Sequence, residues 1–180
     1  MSQSVQADFQ YFVNNFDGWS SSSGDFATCS FAEFPQNTFI TDQYADLGVN
    51  FTGIFGNVVN VGLSGFPLDG HGIDGNCGIE LTFSNLTYAV AAHGPDSWRF
   101  DAYLGDQLIY SSPSHGSSIG GFSGFVSSVP FDRVRLLGAT LFPPDCDDVY
   151  VDNIYFASVP GPAGFAVFAI RALGMGRRRR

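Results

Sequence analysis

Fifteen aspartates, two glutamates and three histidines, with three cysteines beside them, are the groups in this chain best able to ligate a metal or move a proton. Asp152 is the most pointed of them. Between Tyr150 and Phe156 it shares period-two parity with Tyr150, Ile154 and Phe156, the side expected to face a core. A carboxylate there needs a cation beside it, such as Arg99, Arg133 or a metal, to offset its desolvation. His71, His93 and His115 each precede a glycine at intervals of 22 residues. They fall on separate segments, whereas zinc needs convergent ligands, so no zinc site is expected. The acidic runs at Asp145-Cys146-Asp147-Asp148 and from Asp69 to Asp74 lack the ligand order of an EF-hand and read as solvated turns. No G-x-S-x-G nucleophile motif occurs, and Glu33 and Glu80 are the only glutamates. Glycosidase chemistry would therefore need an aspartate pair that nothing singles out, and no catalysis is expected. Two aromatics are candidates for stacking on sugar rings: Trp19, in a Gly- and Ser-rich turn, and Tyr103, outward on its strand. Trp98 reads as core.

The elements that would position these groups are strands. Ile79, Leu81 and Phe83 alternate with Glu80, Thr82 and Ser84; Trp98, Phe100, Ala102 and Leu104 alternate with Arg99, Asp101 and Tyr103. Val49, Phe51 and Phe55 share a parity opposite Asn50 and Thr52, and residues 149–156 alternate again. Each pattern is that of a half-buried strand. Gly105-Asp106 and Gly56-Asn57 are glycine-first pairs suited to two-residue hairpins, and Ser84-Asn85 is a third candidate turn. No helical spacer separates the strands, so parallel βαβ units are not expected. Ten to twelve short strands in about 150 residues predict an all-β, antiparallel, jelly-roll-like β-sandwich over residues 1–158. The Gly- and Ser-rich segments 20–24, 64–78 and 111–121 read as loops, where sandwiches usually meet ligands.

Charge narrows the partners. The chain has no lysine, and residues 1–158 hold three arginines against all 17 acids, a net of −14. Such a body repels phosphate backbones, so nucleic acid is excluded as a partner, whereas divalent cations would be attracted. Cys29, Cys77 and Cys146 lie far apart; one disulfide with a thiol left over and three buried thiols both fit.

Composition changes abruptly after Phe156. Val159-Pro160-Gly161-Pro162 ends the strand pattern, a nearly apolar run follows at residues 163–176, and Arg177, Arg178, Arg179 and Arg180 close the chain. As a helix, 14 residues reach about 21 Å, short of the ~30 Å hydrocarbon core. Arg171 would have to snorkel, and the terminal arginines favour the cytoplasmic side. A turn, a marginal apolar helix and a cationic stop make a temporary membrane anchor. This order resembles the PEP-CTERM sorting signal, with Gly161 standing where that family usually has Glu. The resemblance implies recognition by an exosortase-type membrane enzyme, cleavage near the Pro-x-Pro motif, and delivery to the cell surface or matrix. The opening residues MSQSVQADFQYF carry no basic region followed by an apolar run; an export signal is expected upstream of Met1.

The body is also similar to sandwich domains that carry such tails, in residues 38–44 and 47–51 near its start and in Phe131-Asp132-Arg133-Val134 and Val151-Asp152-Asn153-Ile154 near its end. In related jelly-roll binding modules a carboxylate on the last strand and one near the first hold structural Ca²⁺. That resemblance implies Asp152 as a ligand, with Asp17 or Asp25 as the other. The expected protein is an exported, non-enzymatic component of an exopolysaccharide matrix. A Ca²⁺-dependent carbohydrate-binding module is the alternative and a secreted hydrolase a distant third.

Overall fold

The computed structural model describes residues 7–62, 70–95, 97–114, 121–138 and 146–158. The expected tail at residues 159–180, with its sorting motif and hydrophobic helix, lies outside the described residues, as does His115. Eleven strands and one α-helix follow in the order β1 (Phe9–Val13), α1 (Phe16–Ser23), β2 (Ala27–Cys29), β3 (Val49–Gly53), β4 (Val58–Gly62), β5 (His71–Gly75), β6 (Ile79–Gly94), β7 (Trp98–Leu104), β8 (Gln107–Ser111), β9 (Gly121–Gly138), β10 (Val149–Val151) and β11 (Ile154–Ala157). All pairings are antiparallel. Eight strands form one sheet along the path β2-β11-β6-β9-β7-β8, with β1 added to β9 and β3 to β6; β10-β5-β4 form a second. Among the described residues, no helix is long and apolar enough to cross a membrane.

One core lies between the sheets. Phe51, Leu81, Phe100, Phe125, Val134 and Leu136 of the large sheet pack with Val58, Ile73, Val149 and Val151 of the small one. The antiparallel sandwich expected from alternation is therefore present, though its sheets are unequal and two strands are long. In those two, β6 and β9, both faces are apolar where residues 89–92 pair with 123–126, so the large sheet's other face needs a cover there as well. The helix α1 supplies it: Trp19 and Phe16 pack on Phe12, Ala89, Ala91, Phe122, Val126 and Tyr155. Small residues make the seat possible. A Cβ on Gly124 would collide with Ala91 across the strand pair.

Several local expectations are corrected by this topology. Gly105, at φ +58°, does turn β7 into β8. Gly56, at φ +80°, also turns the chain, but β3 pairs with β6 and β4 with β5, so the segment crosses between sheets and makes no hairpin. Phe55, in that crossing, is 52% exposed and leaves the parity of Val49 and Phe51. Ser84-Asn85 is no turn; it lies within β6, where the register against β9 slips between Thr82 and Thr87. The segment 149–156 is two strands in different sheets, broken at Asp152-Asn153. Glycine-rich residues 71–75 form β5, the centre of the small sheet, rather than loop.

Candidate functional site

The carboxylates suggested for calcium are not gathered. Asp17 sits in the first turn of α1 and is exposed, as is Asp25, whereas Asp152 is fully buried at the sheet-to-sheet switch. The β2–β11 register separates two of them: Ile154 faces Cys29 and Phe156 faces Ala27, so Asp152 and Asp25 fall beyond opposite ends of the pair. Asp152 donates its backbone N–H to the His93 carbonyl at 2.8 Å. Among the described residues, no group of three or more His, Cys, Asp and Glu side chains is placed to hold a metal.

The two proposed sugar-stacking aromatics also change role. Trp19 is fully buried and its indole Nε1 donates to the Phe125 carbonyl at 3.2 Å, so it cannot stack on a sugar. The residues read as a loop at 20–24 are largely the last turn of α1, which rolls the indole onto the sheet. Tyr103 does point outward, yet its ring is already occupied: the Arg133 and Arg135 guanidinium carbons lie 4.8 and 5.2 Å from its centroid. It is a pedestal for two cations rather than an open platform.

Of the two histidines among the described residues, each lies on its own strand. His71 is on β5, while His93 on β6 is packed under α1 against Phe16, Phe122 and Tyr155, with Nδ1 3.2 Å from the Tyr155 hydroxyl. Burial holds the His93 imidazolium below its ordinary range. The unfolded chain therefore takes up a proton that the folded chain refuses. His93 costs nothing above about pH 7 and erodes stability progressively as pH falls below ~6.5. Urea midpoints at about pH 7.5 and 5.5 are expected to differ less in His93→Gln than in the native chain.

The arrangement best suited to hold a ligand is the exposed half of the large sheet that α1 leaves uncovered. Register places two cross-strand rows there. Thr52, Glu80, Arg135, Asp101 and Ser111 form one, in the order β3-β6-β9-β7-β8, with Asp101 itself buried beneath Arg99 and Ser111. Asn50, Thr82, Arg133, Tyr103 and Leu108 form the other. Strand parity turns Leu81, Val134 and Ala102 inward, so their polar neighbours must share the outer face.

Charge on this face is organised in pairs. Arg135 Nε donates to Glu80 Oε2 at 2.6 Å, and Arg133 lies 3.9 Å from both Glu80 and Asp106. Arg99 bonds Asp101 at 3.3 Å, and the Ser111 hydroxyl donates to the same carboxylate at 2.6 Å. Burial alone would lower the Arg135 pKa, but its bond to Glu80 outweighs that and raises it. All three arginines of the first 158 residues thus stand on one face. The hairpin tip borders a shallow hollow of about 340 Å³ lined by Glu80, Thr82, Asp106, Asp132 and Arg133 among others. There Asp132 accepts from Gly105 N–H at 2.9 Å and Arg133 donates to the Gly105 carbonyl at 2.9 Å, which fixes the tip to β9. The paired positions of Arg133 and Arg135 are visible in sequence as an i, i+2 repeat. Their meeting with Glu80 and Tyr103 depends on register.

No family model matches the chain, and no curated protein matches it. A solved structure of a family 29 carbohydrate-binding module, a mutant of CBM29-2, is similar at 11% identity over 83% of this chain and 91% of that chain, with a TM-score of 0.33. At that score the likeness carries no argument about what this chain binds.

Proposed function

We propose that the chain is the body of an exported, non-enzymatic matrix protein that holds polysaccharide on the two outward, largely polar rows of its large sheet. The observation that carries this reading is the outward face of β3, β6, β9, β7 and β8, where guanidinium, carboxylate, amide and hydroxyl groups lie side by side in fixed ion pairs. Such a surface offers donors and acceptors together, as the hydroxyls of a sugar require, and Tyr103 holds two guanidinia in place beneath a ligand. Its carboxylates are engaged by arginines rather than facing each other across a cleft, which favours binding over hydrolysis.

Two features support export. The Cys77–Cys146 disulfide suits an oxidising compartment. The Pro-x-Pro, apolar and arginine-rich order of residues 159–180 supports sorting by an exosortase-type enzyme. Intact mass of the protein recovered from its native host tests the second directly: a surface species ending near residues 159–162 is expected, and a cytoplasmic species retaining Arg177 to Arg180 would count against sorting.

Affinity electrophoresis through gels containing neutral polysaccharides tests the binding. Retardation of the full chain is expected, with Arg135→Ala and Glu80→Ala weakening it by about 10-fold or more, the loss that goes with one charge-assisted hydrogen bond. Both positions are partly exposed, and unchanged melting would show that each variant still folds. Equal retardation of both variants and the native chain would remove the rows from the account.

A further inference from the structure

The rows have a repeat as well as a composition. Adjacent strands in a sheet stand about 4.8 Å apart, and each row places one side chain per strand across five strands. Each is a ladder about 19 Å long running perpendicular to the strands, polar throughout in the first row and closed by the exposed, apolar Leu108 in the second. The step is close to the length of one pyranose unit in an extended, equatorially linked glycan. The step also fits poorly with helical glycans, whose successive sugars turn away from a common plane. The second row lies two residues along β3, β6, β9 and β7, about 6.7 Å away, and three along β8, where the register slips, so both edges of a sugar ribbon would have a row beneath or beside them.

The charge pairing selects further. Arg135 bonds Glu80 at 2.6 Å and Arg99 bonds Asp101 at 3.3 Å, while Arg133 donates to the Gly105 carbonyl and lies 3.9 Å from both Glu80 and Asp106. With Glu80, Asp101 and Asp106 beside three arginines the face carries no net positive charge to attract a uronate or sulfate, and the body as a whole is strongly acidic.

Resting on the reading that the rows hold polysaccharide, we infer that the ligand is an extended, uncharged glycan lying across the strands, with about one sugar per strand. The ion pairs then serve as rigid, neutral hydrogen-bonding units, and the chain is gripped by number of contacts rather than by one deep pocket. The hollow beside Asp106 and Asp132 receives one unit of the same chain at the β7–β8 end.

Calorimetric titration of the full chain with cello-oligosaccharides of increasing length tests this, with malto-oligosaccharides as the helical comparison and oligogalacturonates as the anionic one. Affinity is expected to rise with each added sugar up to about five units, following the five strands, and then level off. The helical and anionic series are expected to bind at least about tenfold more weakly. Thr52→Val, at the far end of the first row, is expected to weaken the longest cello-oligosaccharide while leaving a disaccharide unaffected. Affinity that levels off at the disaccharide yet falls in Arg135→Ala would overturn the extended-chain inference and leave the rows as a saccharide site. Binding that Arg135→Ala leaves intact would overturn both. Failure of the cello series, or equal binding of the anionic or helical series, would overturn the ligand class.

Discussion

Trp19→Ala is expected to lower the stability of the sandwich by about 3–5 kcal/mol, the range for removing a large aromatic from a core. The indole is wholly buried at the centre of an aromatic cluster, with Phe16, Phe26, Phe122 and Tyr155 rings centred between 5.3 and 6.2 Å away. It also donates to the Phe125 carbonyl. Because α1 has only eight residues, four of them serine and one glycine, it has little helical propensity of its own. Docking through Trp19 and Phe16 must hold it in place. Truncation should therefore release the helix and expose one face of β6, β9 and β11. Equilibrium denaturation measures this, with Trp19→Phe as a milder variant expected to fall between the two. An unchanged denaturation midpoint would contradict the placement of Trp19. Any glycan-binding loss in Trp19→Ala would follow from unfolding and would not mark a sugar site.

Opening the Cys77–Cys146 disulfide has a comparable effect. The bridge spans 69 residues of sequence, and chain-entropy reasoning assigns a loop of that length about 4 kcal/mol. It ties the turn between β5 and β6 to the segment entering β10, so it fastens β10, at one edge of the small sheet, to the central strand β5 and the start of β6. Cys77→Ser with Cys146→Ser, or reduction of the native chain, is expected to lower the denaturation midpoint accordingly. Identical midpoints with and without reductant would rule the bridge out. Cys29 is the internal control. It is buried and burial, reinforced by Glu33, pushes its thiol well above the ordinary range. A thiol reagent should leave it unmodified until the chain unfolds.

What the sequence made legible follows from period. Alternation at residues 79–84 and 98–104 located β6 and β7 and put Ile79, Leu81, Phe83, Trp98, Phe100 and Ala102 in the core and Tyr103 outward. It also set Leu104 inward, where the chain is already turning at the hairpin tip and leaves it 42% exposed. Pairing was less accessible, because a strand's own pattern says which face is buried and not which strand lies beside it. Hence Gly56 was readable as a turn, but the crossing from one sheet to the other was not. Hydrophobic alternation also hid β5, whose His-Gly-Ile-Asp-Gly sequence has strand parity at Ile73 alone and is held between β4 and β10. The burial of Trp19 was masked by poor helix formers. Its one local signal is Asn15, which caps α1 by accepting the Gly18 N–H at 2.9 Å.

The candidate site shows the same division. Arg133 and Arg135 announce a shared face by their spacing, and so do Glu80 and Thr82. That the two pairs meet side by side, with Asp101 and Tyr103 completing the rows, is decided by register across β6, β9 and β7. Asp152 shows the converse. It is buried as expected, but not by the parity that suggested it: β10 buries Val149 and Val151 and leaves Tyr150 only half-buried, and the strand expected to run through Asp152 is broken there as the chain changes sheets.

The most direct test of the central claim is a titration of isotopically labelled full chain with a soluble neutral oligosaccharide, followed by amide chemical shifts. Perturbations are expected to concentrate on β3, β6, β9, β7 and β8 around Thr52, Glu80, Arg135, Asp101 and Ser111, with the amides of α1 and of the small sheet unmoved. Perturbations centred on Trp19, or on the small sheet with the rows silent, would contradict the claim.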